Sequence, residues 1–366
     1  MKCIYTVLMW LLCALAMAQS EKHTSYIDIN YFGGYIALHN DEILHLIQEH
    51  PKGLILSWNR ETYGFNDWEQ RYNYPDYGVS LAYQDFNNPV LGTNLSMYAH
   101  YNFYFLKRHV MFRIGQGLAY NTNPYNRETN FKNVAFGSTL MSSTYAMINY
   151  KKANVLDRFG IQAGVSLIHY SNANVKAPNN GTNTVALNVG ITYSLDEESL
   201  PYQKTLDRVV DKAYSEPIKY NLLIRSGLNE SDLIGSGQYP FYIFSAYADK
   251  RINRKSALQF GADAFFSNFL KELVRYRSIA FPEDNLSGDE DYRRIGVFAG
   301  HELFVNKTSL VSQLGYYVYY PFEFEGRIYI RAGLKRYVTK KWFGTVTLKS
   351  HGFRAEAVEF GLGLRL

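Results

Sequence analysis

From Thr24 onward, apolar and polar residues alternate with a period of two in segments of roughly ten residues or more, the spacing that sends successive side chains to opposite faces of a strand. Phe159, Ile161, Ala163, Val165 and Leu167 share one face, and Arg158, Gly160, Gln162, Gly164 and Ser166 the other. Val185, Leu187, Val189, Ile191 and Tyr193 alternate with Ala186, Asn188, Gly190, Thr192 and Ser194. Ile328, Ile330, Ala332 and Leu334 alternate with Arg327, Tyr329, Arg331, Gly333 and Lys335, and Val358, Phe360, Leu362, Leu364 and Leu366 with Glu359, Gly361, Gly363 and Arg365.

The polar faces decide the class. A soluble sandwich also alternates, but its second face meets solvent and has no need of so much glycine. Here one face is apolar to the tip, and the other mixes Gly, Ser, Gln and Arg. That combination predicts lipid outside and a packed polar lumen inside. Lipid admits no open sheet edge, so the sheet must close. The expected fold is all-β, a transmembrane antiparallel β-barrel.

Strands are predicted near 25–39, 52–62, 76–86, 94–107, 109–121, 138–152, 156–170, 183–196, 218–228, 239–252, 255–270, 291–304, 307–320, 326–339, 341–350 and 356–366. Asp41 to His50 reads as a short helix. One barrel of about 14–16 strands is favoured, since tandem barrels are unusual. The alternative is two eight-stranded barrels in tandem, because the halves resemble each other weakly. Phe159-Gly160, a strand, His169 and a closing strand parallel Phe343-Gly344, a strand, His351 and a closing strand. Residues 19–196 then form one unit and 218–366 a second unit or the remaining strands. The charged, unpatterned stretch 197–217 is a candidate linker. Glu359 to Leu366 has the form of a C-terminal barrel-assembly signal, with Gly361, Leu364 and Leu366 in place and Leu366 where an aromatic is usual.

Composition adds the compartment. Lys2, an apolar stretch from Cys3 to Leu15 and Ala16-Met17-Ala18 make a secretory signal peptide over 1–18. A membrane anchor is disfavoured, since the stretch is short for a spanning helix. Both cysteines, Cys3 and Cys13, fall inside the signal, which excludes disulfides, thiol catalysis and cysteine metal sites from the mature chain. The chain has 366 residues, of which 16% are aromatic and 32 are Tyr, a residue favoured at membrane interfaces. Its formal charge of +5 is too mild to argue for nucleic acid. The expected location is the outer membrane of a Gram-negative bacterium.

One segment carries candidate chemistry: LIHYSNANVKAPNNGTNTVALNVGITYSL, residues 167–195. His169 and Ser171 are two apart on a strand, so they share a face. Parity puts that face outward, with Val165 and Leu167. Asn183 falls on the outward face of the next strand, one alternation before Val185. Three groups suited to nucleophilic catalysis thus meet where lipid is expected. An unpaired polar group in an apolar medium costs a few kcal/mol. The wet interface, where that cost falls, is the bland reading. The functional reading is a serine hydrolase with Ser171 as nucleophile, His169 as base and Asn183 orienting the imidazole. The strand near 156–170 is the seventh. With both termini in the periplasm it ends at the cell surface, at the outer-leaflet rim.

The segment resembles the active-site motif of the PagL-type lipid A 3-O-deacylases (acyloxyacyl hydrolases), outer-membrane barrels with a His-x-Ser-Asn signature. The matching residues are His169, Tyr170, Ser171, Asn172, Ala173, Lys176, Pro178, Asn179 and Gly181. The resemblance implies catalytic roles for His169 and Ser171. It implies an oxyanion site at Asn172 and Asn179, with the Asn174 N–H as a weaker donor. It implies lipid A, the lipid anchor of lipopolysaccharide, as substrate, and removal of the acyl chain ester-linked at the 3-position. No cofactor or metal is required. The family's third catalytic member is a Glu, where this chain has Asn183. An amide can fix the tautomer and orientation of an imidazole but cannot stabilise imidazolium by charge. The motif covers about 30 residues and the barrel likeness 25–196.

Other candidates are weaker. His351 lies where a second motif would fall, but Gly352-Phe353 replace the x-Ser. PEDNLSGDEDY, residues 282–292, has acidic oxygens without the ligand spacing of a Ca²⁺ loop, and reads as an exposed charged loop. His301-Glu302 lacks a second His at helical spacing. His39, His45 and His50 read as surface residues. Gly33-Gly34 and Gly115-Gln116-Gly117 lie in strands without the helix a nucleotide site needs. Arg113, Arg327, Arg331 and Lys335 are expected to pair in the lumen, or to line a pore for anions. The competing readings are therefore an esterase, a channel or passive barrel with a relic motif, and an adhesin-like barrel.

Overall fold

The structure is a computed structural model that describes residues 23–197, 199–206, 214–352 and 354–366. The expected signal peptide over 1–18 lies outside the described residues, as does part of the expected linker.

Sixteen strands form, as the alternation predicts: β1 Ser25–Ile36, β2 Lys52–Arg60, β3 Asp76–Asp85, β4 Thr93–Phe105, β5 Val110–Asn121, β6 Leu140–Leu156, β7 Phe159–Ser171, β8 Thr182–Ser194, β9 Lys219–Asn229, β10 Tyr239–Arg251, β11 Ser256–Ser267, β12 Arg294–Val305, β13 Thr308–Tyr319, β14 Ile328–Tyr337, β15 Trp342–His351 and β16 Arg354–Arg365. Within β1–β8 and within β9–β16, each strand pairs antiparallel with its sequence neighbours, and β8 does not pair with β9. The sheet does not close once, as a single barrel of 14–16 strands would. It closes twice: β8 returns to β1 through Tyr26–Ser194 to Ile36–Thr184, and β16 returns to β9 through Phe360–Ser226 to Arg365–Asn221. The tandem arrangement holds, two closed barrels of eight strands each.

The lumens show why. Eight strands enclose a space just wide enough to be filled by side chains. In the first barrel, Arg113 on β5 reaches Asp28 on β1, four strands away, at 2.7 Å, and both are fully buried. The same guanidinium donates to Asn102 Oδ1 at 2.6 Å and Ser57 Oγ at 2.7 Å. In the second barrel, Arg331 pairs with Glu359 at 2.6 Å and Asp263 at 2.8 Å. Lys335 pairs with Glu302 at 2.9 Å, and Arg294 with Glu356 at 2.5 Å. A barrel of sixteen strands would hold β5 and β1 too far apart for such pairs. Arg327 is the exception to the expected set: it lies just before β14, exposed, with its guanidinium over the Tyr320 ring at 5.6 Å.

Buried polar and exposed apolar side chains alternate along β8, with Leu187, Val189 and Ile191 outward and Thr184, Asn188 and Thr192 inward. No helix among the described residues is long and apolar enough to cross a membrane. The expected helix over 41–50 is a 3₁₀ turn, Asp41–Leu46. The pattern reading misses a helix at Asn268–Ala280, on the loop between β11 and β12. Its Phe269, Leu270 and Val274 pack on Phe322, and the apolar residues of β11 run into it without a break that a strand pattern would register.

The two barrels touch at both rims. On one side Tyr72 donates to the Phe304 carbonyl at 2.7 Å, with the Lys255 ammonium over the Tyr72 ring at 4.6 Å. On the other, the β7–β8 loop meets the β9–β10 loop. That second rim also carries the long loops β5–β6 and β11–β12, as expected of the extracellular side.

Candidate active site

β7 buries its even-numbered residues from Gly160 to Tyr170 against the lumen, apart from the half-buried Gly164, and turns its odd-numbered residues outward. His169 and Ser171 are on the outward face, as parity predicts. The register places Asn183 of β8 directly opposite His169. The side chains meet: His169 Nδ1 and Asn183 Oδ1 are 2.7 Å apart. With the amide presenting its oxygen, Nδ1 carries the proton and Nε2 keeps its lone pair, the tautomer a general base needs.

Ser171 ends β7 and is 8% exposed, because the loop that follows folds back over it. Its hydroxyl donates to Asn179 Oδ1 at 3.1 Å and accepts the Ala173 N–H at 2.9 Å. Asn172 N–H also donates to Asn179 Oδ1, at 2.8 Å. A main-chain N–H can only donate, so Asn179 must turn its oxygen, and not its amide nitrogen, toward Ser171. Asn179 thus holds the serine hydroxyl and is not itself an oxyanion donor in this arrangement. The Asn172 side chain is committed to the Lys176 carbonyl at 2.6 Å. The Asn174 side chain turns away to the Glu230 carbonyl at 3.2 Å, while its main-chain N–H makes no hydrogen bond among the described residues. Ser171 and His169 are not hydrogen-bonded to each other among the described residues, a common looseness before substrate binds.

The loop is strained where it matters. Ala173 and Asn174 both have positive φ, 54° and 63°. For a non-glycine residue that conformation costs roughly 1–2 kcal/mol, and it is tolerated where surrounding contacts over-determine the backbone. Here the Ala173 N–H turns back onto the Ser171 hydroxyl. Gly181 has φ +64°, and a Cβ there would lie 2.6 Å from the Tyr170 carbonyl oxygen and 3.6 Å from His169 Cε1, so glycine gives the loop its close return beneath the site.

Sequence reasoning missed Glu230. This residue sits after β9, in the second barrel, and is 3% exposed. Its carboxylate accepts the Ala177 N–H at 2.9 Å and the Gly237 N–H at 3.1 Å, and its own N–H donates to the Asn174 carbonyl at 3.0 Å. Gln238 donates to the Val175 carbonyl at 2.7 Å. No local pattern could have marked these residues, since their partners are about 60 positions away in the chain.

The remaining candidates have structural partners. His351 faces the second lumen, near Tyr317 at 3.2 Å and Glu356 at 3.4 Å. In the acidic loop, Asp284 pairs with Arg277 and Asp291 with Arg293. Glu302 is inside the second barrel with Lys335, while His301 is partly exposed on the other face. His39 meets the Asn180 carbonyl and His45 the Lys132 carbonyl, each tying two loops together, while His50 meets the Gly34 carbonyl of β1. Gly33-Gly34 and Gly115 to Gly117 lie within β1 and β5.

Two family models match the chain: lipid A 3-O-deacylase (PagL) over residues 52–192, and the acyloxyacyl hydrolase C-terminal domain over residues 218–366. A search of curated proteins gave no match. Among solved structures, the outer membrane protein Omp33 of Acinetobacter baumannii aligns at 7% identity over 94% of this chain and 99% of that one, with a TM-score of 0.19. OccAB3 of the same organism aligns at 10% identity over 94% and 98%, with a TM-score of 0.21. A mutant of the Rh. blastica porin aligns at 8% identity over 94% and 99%, with a TM-score of 0.15. Likenesses this weak carry no argument, and the double closure rests on the strand pairing itself. Matched over both of its barrels, the chain belongs to the lipid A 3-O-deacylase (PagL) family, ester hydrolases of the outer membrane that act on lipid A.

Proposed function

We propose that the protein is a serine esterase that removes the acyl chain ester-linked at the 3-position of lipid A and releases a fatty acid. The observation that carries this is the 2.7 Å contact of His169 Nδ1 with Asn183 Oδ1, two positions from Ser171, on the outward face of the barrel at the rim with the long loops, which we read as the extracellular side. There the ester linkages of outer-leaflet lipid A lie within reach of the strand surface, and substrate enters from the membrane plane.

The steps follow from the groups present. The Ser171 hydroxyl leaves Asn179 and gives its proton to His169 Nε2 as Oγ attacks the ester carbonyl. The tetrahedral oxyanion forms on the side of the Ala173 and Asn174 N–H groups, whose strained backbone fixes them in place. The C–O bond to the sugar breaks, and the imidazolium protonates the leaving sugar oxygen. Water, deprotonated by His169, then cleaves the acyl-enzyme, and the fatty acid departs. Asn183 holds the imidazole throughout but offers no charge to the imidazolium. Expected locations follow: the signal peptide over 1–18 directs export, and residues 359–366 direct assembly into the outer membrane.

Mass spectrometry of lipid A incubated with purified protein tests the reading. The wild type removes one acyl chain, and Ser171→Ala removes none while remaining folded. Equal deacylation by both proteins ends the mechanism, and no acyl release by either favours the relic-site barrel.

A further inference from the structure

The outer face beside the catalytic group holds polar side chains where lipid contact calls for apolar ones. The strand register sets Gln116 of β5 opposite Thr144 of β6, Thr144 opposite His169, and His169 opposite Asn183. One step toward the extracellular rim, Ser142 of β6 is opposite Ser171. Four adjacent strands thus share one polar row, about 14 Å long from the strand spacing.

This row is not the wet margin of the barrel. On β5, Gln116 is followed toward the extracellular end by Leu118 and Tyr120, 58% and 53% exposed, and preceded by Ile114. On β6, Leu140 lies beyond Ser142 and is 61% exposed, and Ile148 lies below Thr144. The polar groups form an island inside the apolar belt. Part of their capacity is satisfied internally: Thr144 donates to Gln116 Oε1 at 2.5 Å, and Gln116 Nε2 donates to Ser142 Oγ at 3.0 Å. The Ser142 hydroxyl hydrogen has no acceptor among the described residues, and the other contact of Gln116 Nε2, to the Gly117 carbonyl, is long at 3.4 Å. Hydrogen-bonding groups left facing hydrocarbon are costly unless a partner arrives. Here the partner must come from the lipid.

We infer that Ser142, Gln116 and Thr144 form an acyl-chain subsite that recognises an uncharged oxygen, a hydroxyl or acyloxy group, on the third carbon of the chain being removed. The inference rests on the esterase reading and specifies its substrate. The subsite contains no charged side chain, so it does not suit phosphate. It is surrounded by apolar residues on the extracellular side, so it meets chains and not sugars. Opposed residues of neighbouring strands have Cβ atoms about 5 Å apart. An acyl carbonyl at Ser171 with its chain laid across β6 therefore brings the substituent of its third carbon over Ser142. A chain lacking that oxygen leaves the island unpaired.

The test compares p-nitrophenyl esters of a long-chain 3-hydroxy acid and of the unsubstituted acid of equal length, in detergent micelles, on wild type, Ser142→Ala, Thr144→Val and Gln116→Leu. The competition of the two free acids for Ser171→Ala protein is measured beside it. Wild type favours the hydroxylated ester by about tenfold in kcat/KM, the worth of one or two neutral hydrogen bonds. The variants lose that preference by slowing the hydroxylated ester alone, and Ser171→Ala protein binds the hydroxy acid more tightly. All three substitutions place apolar groups against lipid, and retained heat-modifiable migration on gels reports the folded barrel. Equal rates on both esters in wild type, or a preference that survives in the variants, overturn the subsite and leave the esterase standing. Should wild type cleave neither ester, the esterase reading fails only if mass spectrometry also finds no acyl chain released from lipid A. The acid-binding preference then decides the subsite alone, with equal binding of the two acids overturning it.

Discussion

The Glu230 carboxylate, in the second barrel, accepts the main-chain N–H of Ala177 at 2.9 Å, in the loop that runs from Ser171 back to Asn183. The Glu230 N–H and carbonyl both hold Asn174, three residues past Ser171 in the same loop. The strand that carries His169 and Ser171 belongs to one barrel, and the loop that follows it is fastened to the other.

Glu230→Ala leaves the buried Ala177 N–H without a partner, which costs about 1–3 kcal/mol concentrated in that loop. The expected outcome is a kcat lowered at least tenfold with KM little changed, because the oxyanion donors move while the lipid-facing strands do not. Glu230→Gln keeps a carbonyl acceptor and restores much of the rate. Hydrogen exchange at Val175 to Asn179 reads the loosening directly. Full activity in Glu230→Ala would show that the loop holds its shape without the second barrel.

Asn183→Glu supplies the negative charge that the amide lacks. It is expected to raise the deacylation rate on the order of tenfold or more, and Asn183→Leu to lower it by a hundredfold or more, since the imidazole then loses its orienting partner. Single-turnover rates on lipid A check both. An unchanged rate in Asn183→Leu would remove Asn183 from the site.

Gly181→Ala forces a Cβ to within 2.6 Å of the Tyr170 carbonyl oxygen at φ +64°. The loop must shift, so activity falls sharply while the barrel stays folded. Gel migration with and without heating, beside acyl release, separates the two effects.

Arg113→Leu strands the Asp28 carboxylate inside the first lumen and is expected to destabilise that barrel by about 3–5 kcal/mol. Replacing Asp28 by Leu as well removes the uncompensated charge and recovers most of the loss. Urea unfolding in vesicles measures the difference.

Both lumens are filled by charge pairs and aromatic rings, from Arg113–Asp28 in one to Arg331–Glu359 and Arg294–Glu356 in the other. Planar bilayers containing the protein are therefore expected to show no steady ion conductance. A stable open channel would revive the anion-pore reading of Arg331 and Lys335.

What the chain alone determined is local in origin. The period of two marks every strand from β1 to β16, because it needs only the alternation of backbone direction. The outward placement of His169, Ser171 and Asn183 follows from the same parity, counted from Val165 and Val185. Arg113, Arg331 and Lys335 could be assigned to a lumen for the same reason, while Arg327 escaped the count because β14 starts one residue later.

Closure and bracing were decided only by the fold. One barrel and two barrels share the same alternation, and what separates them is whether β8 pairs with β1 and β16 with β9, pairings between segments some 150 residues apart that no local pattern encodes. Cross-lumen pairs such as Arg113–Asp28 favour the smaller ring, because opposite strands must be close enough for a guanidinium to reach a carboxylate. Likewise the turn of Asn179 toward Ser171, the Glu230 clamp and the row from Gln116 to Asn183 depend on register and on contacts between distant loops. Side-chain direction is set by each strand separately. Which side chains become neighbours is set by how the strands are laid together.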